Sequence, residues 1–240
     1  MRFLTERALL IDKTLVIADL HIGMESALYH SGISIPSQIQ KLENKINKLS
    51  KQTKAKQLII LGDLKHKVPG TYYQESIEIP AFLERLSEKL EVIVVKGNHD
   101  ADLHNISDVK IISSKGIKIG NYGFVHGHAW FSKKLLDCEY LIMGHVHPAV
   151  EFKGRMKEHC WIKAELDTKA IEKKYKKKCK IKEIIIMPAF NPIIGGMAFN
   201  KENYTLMGPI MNVIKLEESK VYLLDGTYIG KLKKLLNNLD

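Results

Sequence analysis

Five short polar clusters, each following an apolar run of strand character, constrain this chain more than any other feature. They are Asp19-Leu20-His21, Gly62-Asp63, Gly97-Asn98-His99-Asp100, His126-Gly127-His128 and Gly144-His145-Val146-His147. The runs before them are Leu15–Ala18, Leu58–Leu61, Val92–Val95, Tyr122–Val125 and Tyr140–Met143. Short apolar runs bounded by glycine and polar residues are the pattern of buried strands. Helical spacing fills the gaps between them. Ile39, Leu42, Ile46 and Leu49 recur at intervals of three and four behind Pro36, where proline suits a first turn. A second helix is predicted over about 75–90, with Leu83, Leu86 and Leu90 inward and Pro80 kinking or restarting it. A short one is predicted after Phe131-Ser132. Strand–helix–strand alternation implies crossover connections and a largely parallel first sheet. In open α/β sheets the loops after the carboxyl ends of strands line the ligand crevice, so clusters remote in sequence can converge on one edge.

The flanking sequence completes a second layer. Residues 2–10 and 14–18 read as two strands with Asp12-Lys13 at the turn. After His147, Val150–Phe152 and His159–Glu165 read as a hairpin around Gly154-Arg155. Residues 167–180 read as a helix, 183–187 as a strand, and the tail offers strands near 211–216, 220–224 and 227–230. The second half is therefore expected to form a mixed sheet packed on the first. With 240 residues, 45% of them hydrophobic, a single domain over 1–240 is expected. No apolar run approaches the ~20 residues that span a bilayer, and no charged-then-apolar leader opens the chain, so a soluble cytoplasmic protein is expected. Cys138, Cys160 and Cys179 show no CxxC spacing, which supports neither a disulfide framework nor a thiolate zinc site and fits a reducing compartment.

The clusters carry oxygen and imidazole-nitrogen donors and no thiolate, a set that suits Mn²⁺, Fe²⁺ or Zn²⁺. Donors from five loops are too many for one ion and about right for two. Asp19 and His21 are two residues apart, as are His145 and His147. In an extended segment that spacing puts both side chains on one side. Asp63 can bridge two ions through its two oxygens, and Asn98 offers a neutral carbonyl. If Asp19 and Asp63 are the only anionic ligands, two divalent ions leave a formal surplus of two positive charges, which points to phosphate esters. Two ions ~3.5–4 Å apart activate water and clamp phosphoryl oxygens, so no serine or cysteine nucleophile is required.

This order of motifs resembles the calcineurin-like metallophosphoesterase superfamily, over residues 19–147 with no element missing. The resemblance implies an α/β fold: a four-layer α/β/β/α sandwich of two mixed sheets flanked by helices. It implies two divalent ions, Mn²⁺ first, with Fe, Zn or Ni as alternatives. Asp19, His21, Asp63 and His147 would hold the first ion, and Asp63, Asn98, His126 and His145 the second. His99 would be the histidine, not a ligand, that stabilises the transition state or protonates the leaving oxygen. Asn98 would also contact substrate. Protein phosphatases of the superfamily carry an aspartate three residues after the bridging aspartate, paired with the catalytic histidine. Here that position is His66, as in the SbcD-type nuclease branch, where it would orient the scissile phosphate. The stretches Asp19–Glu25, Gly62–His66 and Pro188–Pro192 resemble small archaeal SbcD-related phosphoesterases, and a bacterial ligase-associated group is similar. The chain is too short for the cap domain and ATPase-binding helices of true SbcD nucleases, so processive resection of double-strand breaks is not expected.

The function expected is a metal-dependent phosphodiesterase acting on nucleic acid or nucleotide diesters. Its rivals are a phosphomonoesterase or nucleotide phosphatase, and a metal-containing nucleic-acid-binding scaffold. The net charge of +10 favours polyanionic partners such as single-stranded nucleic acid, no membrane partner is expected, and the oligomeric state is left open. The run Lys173–Lys182, seven of its ten residues lysine, reads as a solvated helix face or mobile excursion in preference to a phosphate-backbone site. His128 reads either as a substrate contact or as support behind His126, and Asp100 either orients His99 or caps a turn. His30, His104 and His159 carry no motif and read as surface or satisfied residues.

Overall fold

The computed structural model describes residues 1–103, 108–153, 156–201 and 207–236. The first sheet contains β1 (Arg2–Leu4), β2 (Ala8–Ile11), β3 (Thr14–Ile17), β4 (Gln57–Leu61), β5 (Glu91–Val95) and β6 (Val109–Ile112), in that spatial order. Strands β3 to β6 are parallel, and β1 and β2 are added antiparallel. Ile17 pairs with Ile60, and Leu61 with Val95, so the carboxyl ends of three strands emerge together.

The second sheet is built from β7 (Ile117–Ile119), β8 (Tyr122–Val125), β9 (Tyr140–Met143), β10 (Pro148–Glu151), β11 (Lys157–Ala164), β12 (Glu183–Ile186) and β13 (Met197–Ala198). Its order is β13-β10-β11-β12-β9-β8-β7, and β14 (Lys220–Leu223) and β15 (Tyr228–Lys231) branch from β11. Here too β8, β9 and β12 are parallel and end in register.

Period-two alternation explains why the sheets stack. Ile59, Leu61, Ile93 and Val95 face the second sheet and meet Phe124, Ile142, Trp161 and Ile185. Leu58, Ile60, Val92 and Val94 face outward, against Leu42, Ile46 and Leu49 of α2 (Ile39–Thr53) and Phe82, Leu83 and Leu86 of α3 (Tyr73–Ser87). The outer face of the second sheet is covered by Ile171 of α4 (Thr168–Tyr175) and Leu232 of α5 (Leu232–Leu236). Strands buried on both faces read as continuous apolar runs, and each such side chain contributes about 1.5–3 kcal/mol on leaving water. The result is the four-layer α/β/β/α sandwich.

Several local expectations change. The strand expected over 2–10 is broken at Arg7, which adopts a positive φ of 65° and leaves β1 and β2 as an antiparallel pair. Helix α3 runs through Pro80 without restarting. The helix expected over 167–180 stops at Tyr175, because Lys176 turns left-handed at φ 50° and the chain then runs back along 131–139. Residues 211–216 give short 3-10 turns, not a strand. Strands β10 and β11 pair antiparallel as expected, but Gly154, Arg155 and His104 lie outside the described residues. Helices α1 (Met24–His30) and α5 and strands β6, β7 and β13 lie outside the sequence expectations. No helix among the described residues is long and apolar enough to cross a membrane.

Candidate metal centre

All five clusters stand on one edge of the sandwich, where the parallel strands of both sheets end. Asp19 and His21 follow β3, Asp63 follows β4, Asn98 and His99 follow β5, His126 and His128 follow β8, and His145 and His147 follow β9. The paired spacing works differently from the extended reading. Asp19, His21, Asp63, His145 and His147 all have positive φ, from 43° to 74°. Non-glycine residues rarely adopt this conformation, and where they do the surrounding structure holds them there. That hold is visible: Asp19 N–H donates to the Gly62 carbonyl, His21 N–H to Asp63 and Ile22 N–H to Leu64, at 2.8–3.2 Å. His145 N–H donates to both oxygens of Asp19 at 3.1 Å.

The glycines make room for this crowding. A Cβ on Gly97 would lie 2.1 Å from Asp63 Oδ1, and one on Gly62, itself at φ 73°, would lie 2.5 Å from the His126 ring. Asp100 is buried and caps the turns instead of orienting His99. It accepts from Gly97 N–H at 2.8 Å and Leu64 N–H at 2.9 Å, tying the second cluster to the third. Glu75 of α3, which carries no motif, accepts from His66, Lys67 and Tyr72 N–H at 2.7–3.0 Å and fixes the loop after Asp63. The Pro188–Pro192 segment packs behind the first cluster, where Asn191 Nδ2 donates to the Leu20 carbonyl at 2.7 Å.

Three donor groups occur among the described residues: two hold the expected ligands, and a third, His21, His66 and His99, adjoins the first through His21. In the first, Asp19, His21 and His147 bring one ligand atom each within 4.8 Å of one another, and in the second Asp63, His126 and His145 do the same. Asp63 lies between the groups: its Oδ2 is 3.7 Å from His21 Nε2 and its Oδ1 is 3.3 Å from His126 Nε2. Asn98 Oδ1 lies 3.2 Å from the same nitrogen, and His147 Nε2 lies 3.4 Å from Asp19 Oδ1. Ligands on one ion at about 2.0–2.1 Å are spaced about 3.0–3.4 Å apart, so these separations match donors converging on a cation. The Nε2 atoms of His21 and His147 are buried without a hydrogen-bond partner, a costly arrangement that a cation would satisfy. The residues therefore fit a divalent metal.

The electrostatics agree. Burial pushes His21 down to about 3, against the pull of Asp63 and Asp19, and burial beside His126 takes His145 to about 4. Both imidazoles are therefore neutral, the form that ligates metal. His126 is fully buried, which opposes its charge, yet the hydrogen bond and charge of Asp63, with Asp19 and the Leu61 carbonyl, raise it to about 9. Burial would raise the Asp63 carboxyl, but His126 and His21 outweigh it and hold it well below the carboxylate range. His126 Nδ1 lies 2.8 Å from the Leu61 carbonyl, which directs Nε2 inward and fixes the ring orientation.

Three further histidines line the centre. His99 Nδ1 is 2.5 Å from the backbone carbonyl of His66, and its Nε2 is 3.8 Å from Asp63 Oδ2. The His66 ring lies against His21, with Nδ1 atoms 3.4 Å apart, and burial and His99 lower its pKa. The structure thus adds a contact invisible in sequence: residue 66 holds His99 through its main chain. His128 lies outside both donor groups, its ring 5.2 Å from that of His126. Burial and His126 take it to about 4, and its buried Nδ1 has no partner. His159, expected at the surface or satisfied, is half-buried with an unpartnered Nδ1.

Among solved structures, the nuclease MPE of Pseudomonas putida superposes with a TM-score of 0.58 at 20% identity, over 92% of this chain and 90% of that one. Yfce, a phosphoesterase from E. coli, gives 0.40 at 15% identity over 91% and 97%. The first likeness supports the fold. No curated protein matches the chain. The calcineurin-like phosphoesterase pattern matches residues 13–176, which contain all five clusters. With that match over most of its length, the chain belongs to the calcineurin-like phosphoesterases, hydrolases that act on phosphate esters.

Proposed function

We propose that the chain is a single metallophosphoesterase domain and a two-metal phosphodiesterase, hydrolysing nucleic acid or nucleotide diesters. Asp19, His21, Asp63 and His147 would hold the first ion, and Asp63, Asn98, His126 and His145 the second. The preferred ion is Mn²⁺, with Fe, Zn or Ni compatible with the same donors. When bound, two such ions supply positive charge to the phosphoryl oxygens and acidify a water.

The side chains do the rest. Asp63 keeps the two groups together, with one oxygen toward each, and its Oδ1 accepts from His99 N–H at 3.0 Å. His99 gives Nδ1–H to the His66 carbonyl and so keeps Nε2 for the site, where it would protonate the departing oxygen. His66 and His128 flank the two sides of the centre.

The observation that carries the diester reading is position 66. The phosphatases of the superfamily carry a carboxylate there, paired with the catalytic histidine. His66 is held neutral by burial and by His99, and its main chain takes over the orienting contact. The ring is left to hydrogen-bond the ester, as in the SbcD-related branch that the motifs resemble. The likeness to a Pseudomonas putida nuclease fits this reading. Hydrolysis of bis-p-nitrophenyl phosphate against the mono-ester, with Mn²⁺ and after chelation, tests it. Faster diester hydrolysis, lost on chelation, is expected. Preference for the mono-ester would replace the reading with a phosphomonoesterase, and inactivity with every metal would leave a binding scaffold.

A further inference from the structure

The densest run of positive charge in the chain lies in segment 173–182. Segment 173–182 holds seven lysines and no carboxylate, and Lys118, Lys133 and Lys134 adjoin it. The segment is not a loose excursion. Tyr175 Oη donates to the Phe131 carbonyl at 2.6 Å, and Cys179 N–H to Glu172 Oε1 at 2.8 Å. Lys180 N–H donates to Leu136, and Lys182 N–H to Glu139, both at 2.8 Å. The run is thereby laid along 131–139. Three carboxylates stand in this surface. Asp137 pairs with Lys177 at 2.5 Å and Glu139 with Lys182 at 3.0 Å, while Glu172 is engaged by Cys179. They leave a large positive excess.

The surface begins at the catalytic edge. His126 ends the strand side of the centre, His128 follows, and Trp130 stands two residues further on. Trp130 is half-buried, with Lys174 Nζ 4.2 Å from its ring centroid and Tyr175 packed edge-on at 6.1 Å. At the far end, Lys182 precedes β12, whose Glu183 pairs with Tyr140 at the start of β9. The lysines therefore extend from the metal edge along the whole of β9, about 13 Å at the usual strand rise.

Resting on the diesterase reading above, we infer that this surface is a track for single-stranded nucleic acid leading past Trp130 and His128 into the centre. Lysines release counterions from a phosphate backbone and give affinity without sequence readout. An aromatic ring stacks an unpaired base of any kind, and a duplex keeps its bases in its own stack. A lysine run with an anchored backbone next to one such ring matches a single strand.

Anisotropy of a labelled oligothymidylate, and of a duplex of equal length, on the metal-stripped full chain at rising salt tests the track. Lys173→Glu, Lys178→Glu and Lys180→Glu together are expected to weaken strand binding at least about tenfold and to flatten the salt slope by about two. The same reversals at Lys41, Lys48 and Lys51, exposed on α2, are expected to cost far less. Trp130→Ala is expected to weaken strand binding about 5- to 100-fold while leaving the duplex unaffected. Equal losses in the two triple variants would overturn the track. So would duplex binding as tight as strand binding with no effect of Trp130→Ala. Bis-p-nitrophenyl phosphate hydrolysis by the Mn²⁺-loaded wild type separates the two proposals. An inactive enzyme with lysine-dependent strand binding refutes the diesterase reading alone. An active enzyme with lysine-independent binding refutes the track alone.

Discussion

The two donor groups are built from the same residue types but differ in how much of their bonding the chain supplies. In the second group, His126 has partners at both nitrogens, the Leu61 carbonyl at 2.8 Å and Asn98 Oδ1 at 3.2 Å, and is fully buried. In the first, His21 and His147 each bury an Nε2 with no hydrogen bond. A buried unpartnered polar atom costs about 1–3 kcal/mol. The second group is thus held by hydrogen bonds that the chain supplies, and the first leaves two imidazole nitrogens for a ligand. A cation entering the second group meets His126, raised to about 9; in the first, His21 has no proton to lose near neutral pH, while His147, opposed by burial, is raised by Asp19.

The largest test of this comparison removes what the groups share. Asp63→Asn is expected to cost both ions, with metal content falling below one per chain by elemental analysis. Each ion supplies several kcal/mol of charge stabilisation, so turnover should drop by about 10³-fold or more at about 1.4 kcal/mol per decade. If one ion stayed at full occupancy, the groups would be independent and the bridging role of Asp63 wrong. His99→Ala comes next. It keeps the main-chain N–H that donates to Asp63 and removes only the ring, so turnover should fall about 10²- to 10⁴-fold with both ions retained. Loss of metal along with activity would make His99 a ligand.

Gly97→Ala should act on the second group through packing. The added methyl meets Asp63 Oδ1 and its main-chain nitrogen at 2.1 and 2.4 Å, and overpacking of this kind costs about 1–3 kcal/mol. The unfolding midpoint should fall, and metal should dissociate more readily. An unchanged variant would mean that the Gly62–Gly97 crossing is loose. The smallest effect is in pH. With His126 raised to about 9, metal uptake by the second group should release a proton at every pH below that value. Its affinity should climb by up to tenfold per pH unit and level off near pH 9. His21, near 3, makes no such contribution in this range, and His147, raised against burial by Asp19, adds to the release from the first group. Titration calorimetry in buffers of different ionisation heat measures the proton count, and His126→Asn should reduce it. Zero release at neutral pH would contradict the assigned protonation.

Much of this site is legible in the sequence because its parts are local. Each cluster sits directly after a strand, and the strands are short and apolar on both faces, so Leu58–Leu61 or Val92–Val95 announces both a strand and the place where a ligand can follow it. What escapes is whatever depends on distant backbone. The left-handed turns at Asp19, His21, Asp63, His145 and His147 are imposed by hydrogen bonds to residues some 40 to 130 positions away in these pairs, and the i, i+2 spacing suggests an extended segment in their place. The His66 carbonyl leaves no trace in its side-chain identity. Strands β6 and β7 are only partly buried and lack a clean apolar run. The helix expected to continue to 180 ends because Tyr175 and Lys180 bind the 131–136 loop, a tertiary contact that overrides lysine's helix propensity.

Anomalous scattering from a crystal of the chain grown with Mn²⁺ tests the central claim most directly. Two peaks ~3.5–4 Å apart on either side of the Asp63 carboxylate are predicted, one against Asp19, His21 and His147 and the other against Asn98, His126 and His145. A single peak, or a pair with Asp63 outside the coordination sphere of either ion, would contradict it.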